Sequence, residues 1–335
     1  MDYNLYKLKF DGAVHFGQSE SALSLYTTAD HFRADTLFSA LCQTALCLYG
    51  PEGVEELCGE DGVQALVKQA EADELLLSDS MPWRELAHED VFYLPKPCAV
   101  SEKKREIPAD LRKKMKRLLW IPVSDMGRFE QSIRGDTLYK PKDEAFGIAS
   151  ERTSASIAEG ADATPYQVGS FRFYPDCGLY IIVGVRTEAQ AERMDRLISA
   201  LGMSGIGGKI SSGYGSFTVE ERIDLCAPFD AQTKWLHDAL EKRDAKHQLL
   251  LTTSLPADDE LEDALEGAQY QLVRRAGYVQ SDTFAKSPVR KRTQMFMAAG
   301  AMLSRPFRGA LYTVAQNERH AVVRYAKPMM LGVSF

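Results

Sequence analysis

From Ser170 to Ile223 the chain sets out two extended runs in SFRFYPDCGLYIIVGV, a helical stretch EAQAERMDRLISALG, a glycine-rich loop and a strand SFTVEERI. The two extended runs join at Pro175-Asp176-Cys177-Gly178, and the helical stretch ends at Gly202. Upstream, residues 3 to 10 and 13 to 16 alternate as strands. Asp35-Thr36 then opens the apolar-periodic run LFSALCQTALCLYG, which Gly50 and Pro51 end. A further helix is predicted between 53 and 70, followed by short extended pieces, LLLSDSMPW and DVFYLPKPC, whose prolines suit edges and turns. The order is β, α, β, β, α, β, the split arrangement of a ferredoxin-like domain, predicted over 1–225. An insertion over about 99–170 is predicted to carry a basic helix near 108–118 and a projecting hairpin. From 226 a new set begins with QLLLTTSL, an acidic helix, YQLVRRAGYVQS, RKRTQMFMAAGAMLSR, GALYTVA and HAVVRYAKPMMLGV. It predicts a smaller α+β domain of the same class over 226–335.

The longest apolar stretches, GLYIIVGV and MFMAAGAML, are too short to cross a bilayer as helices. The start, MDYNLYKLKF, lacks the basic and apolar regions of a secretory signal, so a cytoplasmic chain without membrane contact is expected. Six cysteines form no CxxC pair, and no histidine stands at ligand-like spacing from them. Reduced thiols, and neither metal nor cofactor, are expected.

Net charge is −7, but the charges are segregated. Lys103, Lys104, Arg105, Arg112, Lys113, Lys114, Lys116 and Arg117 face only Glu106 and Asp110 within their segment. Residues 255 to 267 hold six acids and no base. A local phosphate site and a separate protein-facing surface are both compatible with this pattern.

The loop from Gly202 to Gly215 has six glycines, with Ser204, Lys209, Ser211 and Ser212 interleaved. Glycine permits positive φ and close approach, so such a loop can turn bare backbone N–H groups toward phosphate oxygens. It is not a Walker A loop, because Ile210 follows Lys209 and Met203 takes the first glycine's place. Nor is it a dinucleotide fingerprint: Ile210 stands at the third glycine, and the loop follows a helix rather than a strand. A plain helix-to-strand turn is the simpler alternative, though a dozen residues exceed what a turn needs.

GIGGKISSGYGSF resembles the glycine-rich loop of the RAMP superfamily of CRISPR RNA-binding proteins. LYKLKF with VHFG, ADTLFSALC, the MPW and FYLPKP pair, RPFRGALYTVA and YAKPMMLGV narrow the resemblance to one branch, subunit four of type III-A Csm effector complexes. The resemblance implies two ferredoxin-like (RRM-like) domains and binding of the crRNA 5′ handle. It also implies docking on the large polymerase/cyclase-like subunit and a backbone RAMP subunit, and no catalysis by this chain. By position, Gly205, Gly207, Gly208, Lys209, Ser211, Ser212, Gly213 and Tyr214 should line the handle, with His15 and Gly17 near it. ERTSASIAEGADATPYQVGSFRF stands where the family has a wedging hairpin. Tyr214 could stack on a base or pack at a strand edge.

Further candidates for RNA contact are Arg290 and Arg292 in KSPVRKR, beside Lys286 and Lys291, and Arg305 and Arg308 in SRPFRGA. The last two occupy a turn able to aim guanidinium groups at RNA or at an acidic surface. Some RAMP proteins are endoribonucleases with an N-terminal histidine base, which makes His15 and His31 the residues to examine. The sequence offers His15 no partner, and Asp35, just ahead of a helical run, reads as an N-cap. A guide-processing nuclease and a purely protein-bridging subunit are the alternatives.

Overall fold

The structure, a computed structural model, describes residues 1–17, 25–50, 62–99, 107–142, 144–156, 162, 164–280, 284–285, 287–318 and 320–334. It is a mixed α+β architecture. The uninterrupted apolar run near 180 becomes strand β10 (Cys177–Val185), buried along its whole length. Such a strand needs cover on both faces. It pairs antiparallel with β1 (Asp2–Phe10) on one edge, and with β4 (Leu75–Leu77) and β5 (Met81–Leu86) on the other. β1 in turn pairs with β11 (Phe217–Asp224), while β6 (Glu89–Pro95) and β7 (Trp120–Pro122) extend the far side. The order is β11-β1-β10-β5-β6-β7, with β4 also on β10.

Alternation sorts the side chains into two cores. Tyr6, Leu8, Leu179 and Ile181 meet Leu37, Phe38 and Leu41 of α1 (Ala34–Tyr49) on one face, together with Leu197 and Ile198 of the long helix Glu188–Ser204. Helix α2 (Val63–Glu71) adds Leu66 and Ala70 to this core. On the other face Leu5, Tyr180 and Ile182 meet Leu249, Leu331 and Val333 from the C-terminal part. Each such side chain contributes about 1.5–3 kcal/mol by leaving water.

The insertion contains a basic helix, α3 (Ala109–Arg117), and a second helix, α4 (Met126–Arg134), whose Met126 and Phe129 join the second core. It also contains the hairpin of β8 (Gly147–Ser156) and β9 (Thr164–Phe173). The hairpin root is fixed to the chain after β1: Val14 N–H donates to Phe171 O at 2.8 Å, and Phe171 N–H returns to Val14 O at 2.9 Å. Beside it lies the short pair β2 (Phe16–Gly17) and β3 (Thr28–Ala29). The long helix, α5 (Glu188–Ser204), starts on a capping box in which Gln190 N–H donates to Thr187 Oγ1 and Thr187 N–H to Gln190 Oε1.

Past α6 (Ala231–Glu241), β12 (His247–Leu250) lies between β15 (Met302–Leu303) and β18 (Met330–Val333). Two further pairs, β13 (Leu272–Arg275) with β14 (Gln294–Met297) and β16 (Leu311–Gln316) with β17 (Ala321–Tyr325), complete this part. The acidic helix shrinks to α7 (Leu261–Leu265), between crowded like charges and Gly267 at φ 66°.

The predicted helix over 53–70 begins only at Val63, and 51–61 lie outside the described residues, as do Lys103 to Glu106 and Lys286. Asp35 is not an N-cap. The capping position is Arg33, whose side chain makes no cap bond, and it is Asp79 Oδ1 that accepts from Ala34 N–H at 2.9 Å. Asp35 sits one residue further in and is committed elsewhere.

Candidate nucleic-acid interface

The glycine loop is a packing device before it is a binding one. Gly205, Gly207, Gly213 and Gly215 all have positive φ, and so does Lys209 at 62°. A Cβ on Gly207 would stand 2.7 Å from His15 O, and one on Gly215 would stand 2.1 Å from Ile206 O. The glycines therefore let the loop lie directly on the segment after β1. Gly208 N–H donates to His15 O at 2.9 Å and Gly215 N–H to Ala13 O at 3.0 Å. Within the loop, Ile206 donates to Gly215 O, Ser212 and Tyr214 to Lys209 O, and Gly213 to Ile210 O. Most of these amides are thus satisfied inside the protein, against the expectation that they stand bare.

His15 has the partner its sequence did not reveal. Its ring is buried, and Nδ1 donates to Gly169 O of the hairpin at 2.7 Å, which fixes the tautomer; Cδ2 lies against Gly208. Lys209 turns toward the hairpin, donating to Tyr166 Oη at 3.0 Å and standing 4.7 Å over the ring. His15 and Lys209 together brace the loop against the hairpin.

Beside the loop opens a cleft of about 1220 Å³, walled by α1 and by the segments around 274–280 and 290–293. Of the candidate residues it gathers His15, Gly17, Gly205, Gly207, Gly208 and Arg290. Lys209, Ser211, Ser212, Gly213, Tyr214 and Arg292 lie outside its lining, and Tyr214 is half-buried. Six cations, Arg33, Arg274, Arg275, Arg290, Lys291 and Arg324, line it against one acid, Asp35. That excess stands out in a chain of net charge −7.

Arg324 and Asp35 are buried and Arg275 is partly so, while Arg274 and Arg290 are exposed. Arg275 Nε and Nη2 donate to the two oxygens of Asp35 at 2.9 and 2.7 Å, and Arg324 Nε lies 3.7 Å from Asp35 Oδ2. Burial pushes the Asp35 carboxyl pKa up, but Arg275, Arg324 and Arg33 outweigh it and hold the group below its ordinary value. Burial, followed by the nearby Arg324, pushes the Lys291 ammonium down. An anion arriving in the cleft would relieve that mutual repulsion. Above this floor the rim is apolar, with Met203, Ile210, Leu48 and Tyr278 all exposed and Arg290 stacked 5.7 Å from the Tyr278 ring.

Arg305 and Arg308 point away from the cleft. Arg305 meets Asp263 and Glu266, and Arg308 meets Glu260 and Asp259. The acidic surface they were expected to find is the chain's own. Sequence reading missed Arg33, Arg274, Arg275 and Arg324; the paired arginines in YQLVRRAG were the one available signal. Among the described residues no cluster of His, Cys, Asp or Glu could hold a metal ion, and no helix is long and apolar enough to cross a membrane.

Residues 243–333 match the family described as the CRISPR Csm4 C-terminal domain. Over 335 residues the chain is 34% identical to CRISPR system Cms protein Csm4 of Mycobacterium tuberculosis (strain ATCC 25618 / H37Rv), covering 99% of this chain and 98% of that protein. The chain belongs to the Csm4 family. The Csm4 protein of Streptococcus thermophilus is 29% identical over 341 residues, 98% of each chain. Among solved structures, the fold is similar to a chain in the crystal structure of a Csm3–Csm4 subcomplex of the type III-A CRISPR-Cas interference complex. The TM-score there is 0.62 at 16% identity, with 100% of both chains covered. A chain of a Csm1–Csm4 cassette in complex with cA4 gives 0.58 at 17% identity, covering 100% of this chain and 98% of that one. The resemblance read from the loop and the flanking segments is thus a true family relationship.

Proposed function

We propose that this Csm4-family chain is a non-catalytic subunit of a type III-A effector complex that holds the guide RNA by its 5′ handle in the cationic cleft. The observation carrying this reading is the concentration of six cations against one acid in a cleft of an acidic protein. Single-stranded RNA is held by phosphate charge and by stacking on aromatic and guanidinium planes, and floor and rim supply one each. The glycine loop acts as the rigid wall of this cleft, and the hairpin it braces stands next to the RNA path. Arg305, Arg308 and Arg292 are not part of this site. The neighbouring RAMP backbone subunit and the large polymerase/cyclase-like subunit would dock on other surfaces of the chain, in the cytoplasm.

Both parts fit the ferredoxin-like class in different degrees. The β11-β1-β10-β4/β5 order with α1 and α5 on one face supports it for the first part. The short pairs after 247 support only a degenerate version for the second. The buried, carbonyl-bound His15 favours a positioning role over that of a base. The deciding experiment incubates the purified chain with repeat-derived RNA in the absence of metal. Retention of uncut RNA carrying the handle is the expected result; a cut product that disappears on His15→Ala would overturn the reading.

A further inference from the structure

The basic helix of the insertion, α3 (Ala109–Arg117), lies outside the lining of the cleft. Leu111 is buried, and Met115 and Leu118, four and seven residues on, pack against the second core, so one stripe of the helix faces inward. Arg112, Lys113, Lys116 and Arg117 occupy the opposite stripe, and all four are exposed. Arg112 donates to the backbone O of Ile107 at 3.4 Å, and among the described residues no carboxylate pairs with any of the four.

This arrangement opposes the stability of the helix. Like charges four residues apart repel, and Arg112 with Lys116 and Lys113 with Arg117 are both such pairs. The helix dipole offsets the repulsion only in the last turn, where Lys116 and Arg117 stand. The stripe suits a ligand that brings several negative charges in a row. A protein surface fits it less well, because the four positions offer no aromatic or apolar anchor.

The stripe is also continuous with the cleft. Arg117 lines a cavity of about 230 Å³ at the hairpin root, together with Lys142, Asp30 and Phe171. Asp30 Oδ1 is bonded at 2.8 Å to Nδ1 of His31, a residue of the cleft wall. Phe171 is bonded through its backbone to Val14, which precedes the cleft residue His15. Asp30, Asp125 and Glu144 would repel a phosphate from inside this cavity, so a strand leaving the cleft on this side is directed over its rim and onto the exposed stripe.

We infer that α3 is a second phosphate-binding element, whose Arg112, Lys113, Lys116 and Arg117 take the sugar–phosphate backbone of the single-stranded RNA that follows the handle. The contact is made by charge and reads no base. It rests on the RNA-holding reading, and the test separates the two.

The full chain is compared with two RNAs, the handle alone and the handle extended on its 3′ side by an unstructured run of uridines, in filter binding over a salt series. The double variant Lys113→Gln with Lys116→Gln should melt no lower than wild type, because it removes repulsion. For the extended RNA its salt slope should fall by about 1.4, or 0.7 for each phosphate no longer neutralised. The affinity gap between wild type and variant should then shrink about sevenfold between about 50 and 200 mM salt. The handle alone should bind both chains equally, and the extended RNA should slow amide exchange along α3 in wild type. An unchanged slope for the extended RNA, or an equal loss of affinity for the handle alone, would overturn the assignment. So would polyglutamate that protects the α3 amides as well as the extended RNA does, since any acidic chain would then serve. If wild type fails to hold the handle alone while the variant still loses slope with the extended RNA, the cleft reading falls and the helix assignment stands.

Discussion

The carboxylate of Asp35 and the guanidinium of Arg275 form a two-pronged hydrogen-bonded pair across 240 residues of sequence, joining the first turn of α1 to β13. Removing one partner of a buried pair leaves the other charge uncompensated, and here Arg324 lies beside it as well. Asp35→Asn is expected to cost about 3–5 kcal/mol at neutral pH, read from urea unfolding. The folded carboxyl pKa lies below the unfolded one, so the contribution is complete above the unfolded value, about 3.9, and fades as pH falls through the folded value. The stability gap between wild type and Asp35→Asn should narrow in acid; a gap constant down to pH 2 would refute the assignment.

Two glycines in one loop should respond differently to the same substitution. Gly213 has φ +80° but open space around it, so Gly213→Ala should cost only about 1–2 kcal/mol. Gly215 combines φ +80° with the Ile206 carbonyl at 2.1 Å, and Gly215→Ala should cost about 3 kcal/mol or more. Thermal melting of the two variants measures the difference.

RNA affinity should depend on the cleft rather than on the basic turn near 305. Arg290→Ala and Lys291→Ala are each expected to weaken handle-RNA binding and to lower the salt slope by about 0.7 for each phosphate no longer neutralised. Arg305→Ala and Arg308→Ala, already matched to the acids at 259–266, should leave both affinity and slope unchanged. Filter binding over a salt series reads both quantities.

Lys209 should act as a brace. Lys209→Met removes the bond to Tyr166 and the charge over its ring, a contribution of about 0.5–1 kcal/mol for the cation–π interaction. Global stability should change little, while amide exchange along β8 and β9 rises. Unaltered exchange in the hairpin would mean that the lysine does not restrain it.

The sequence made the first part legible because its strands and helices carry long apolar runs or unbroken periodic patterns. GLYIIVGV, the run after Asp35 and the helix from Glu188 are each long enough to outweigh local noise. It could not show the cleft floor, since Asp35, Arg275, Lys291 and Arg324 meet only through tertiary packing between distant segments. Asp35 looked like a cap because Asp and a helix start coincide so often; Asp79, 45 residues from Ala34, accepts that residue's N–H instead. The glycines were noticed for the right reason, their backbone freedom, but the approach they permit is to His15 and Ala13.

Because Leu5 and Ile182 are roofed by Leu331 and Val333, the central sheet cannot be sealed until the strand carrying those two residues has left the ribosome. Until then a greasy underside stays uncovered in the nascent molecule. A fragment stopped before the closing strands should precipitate rather than persist as an independent half.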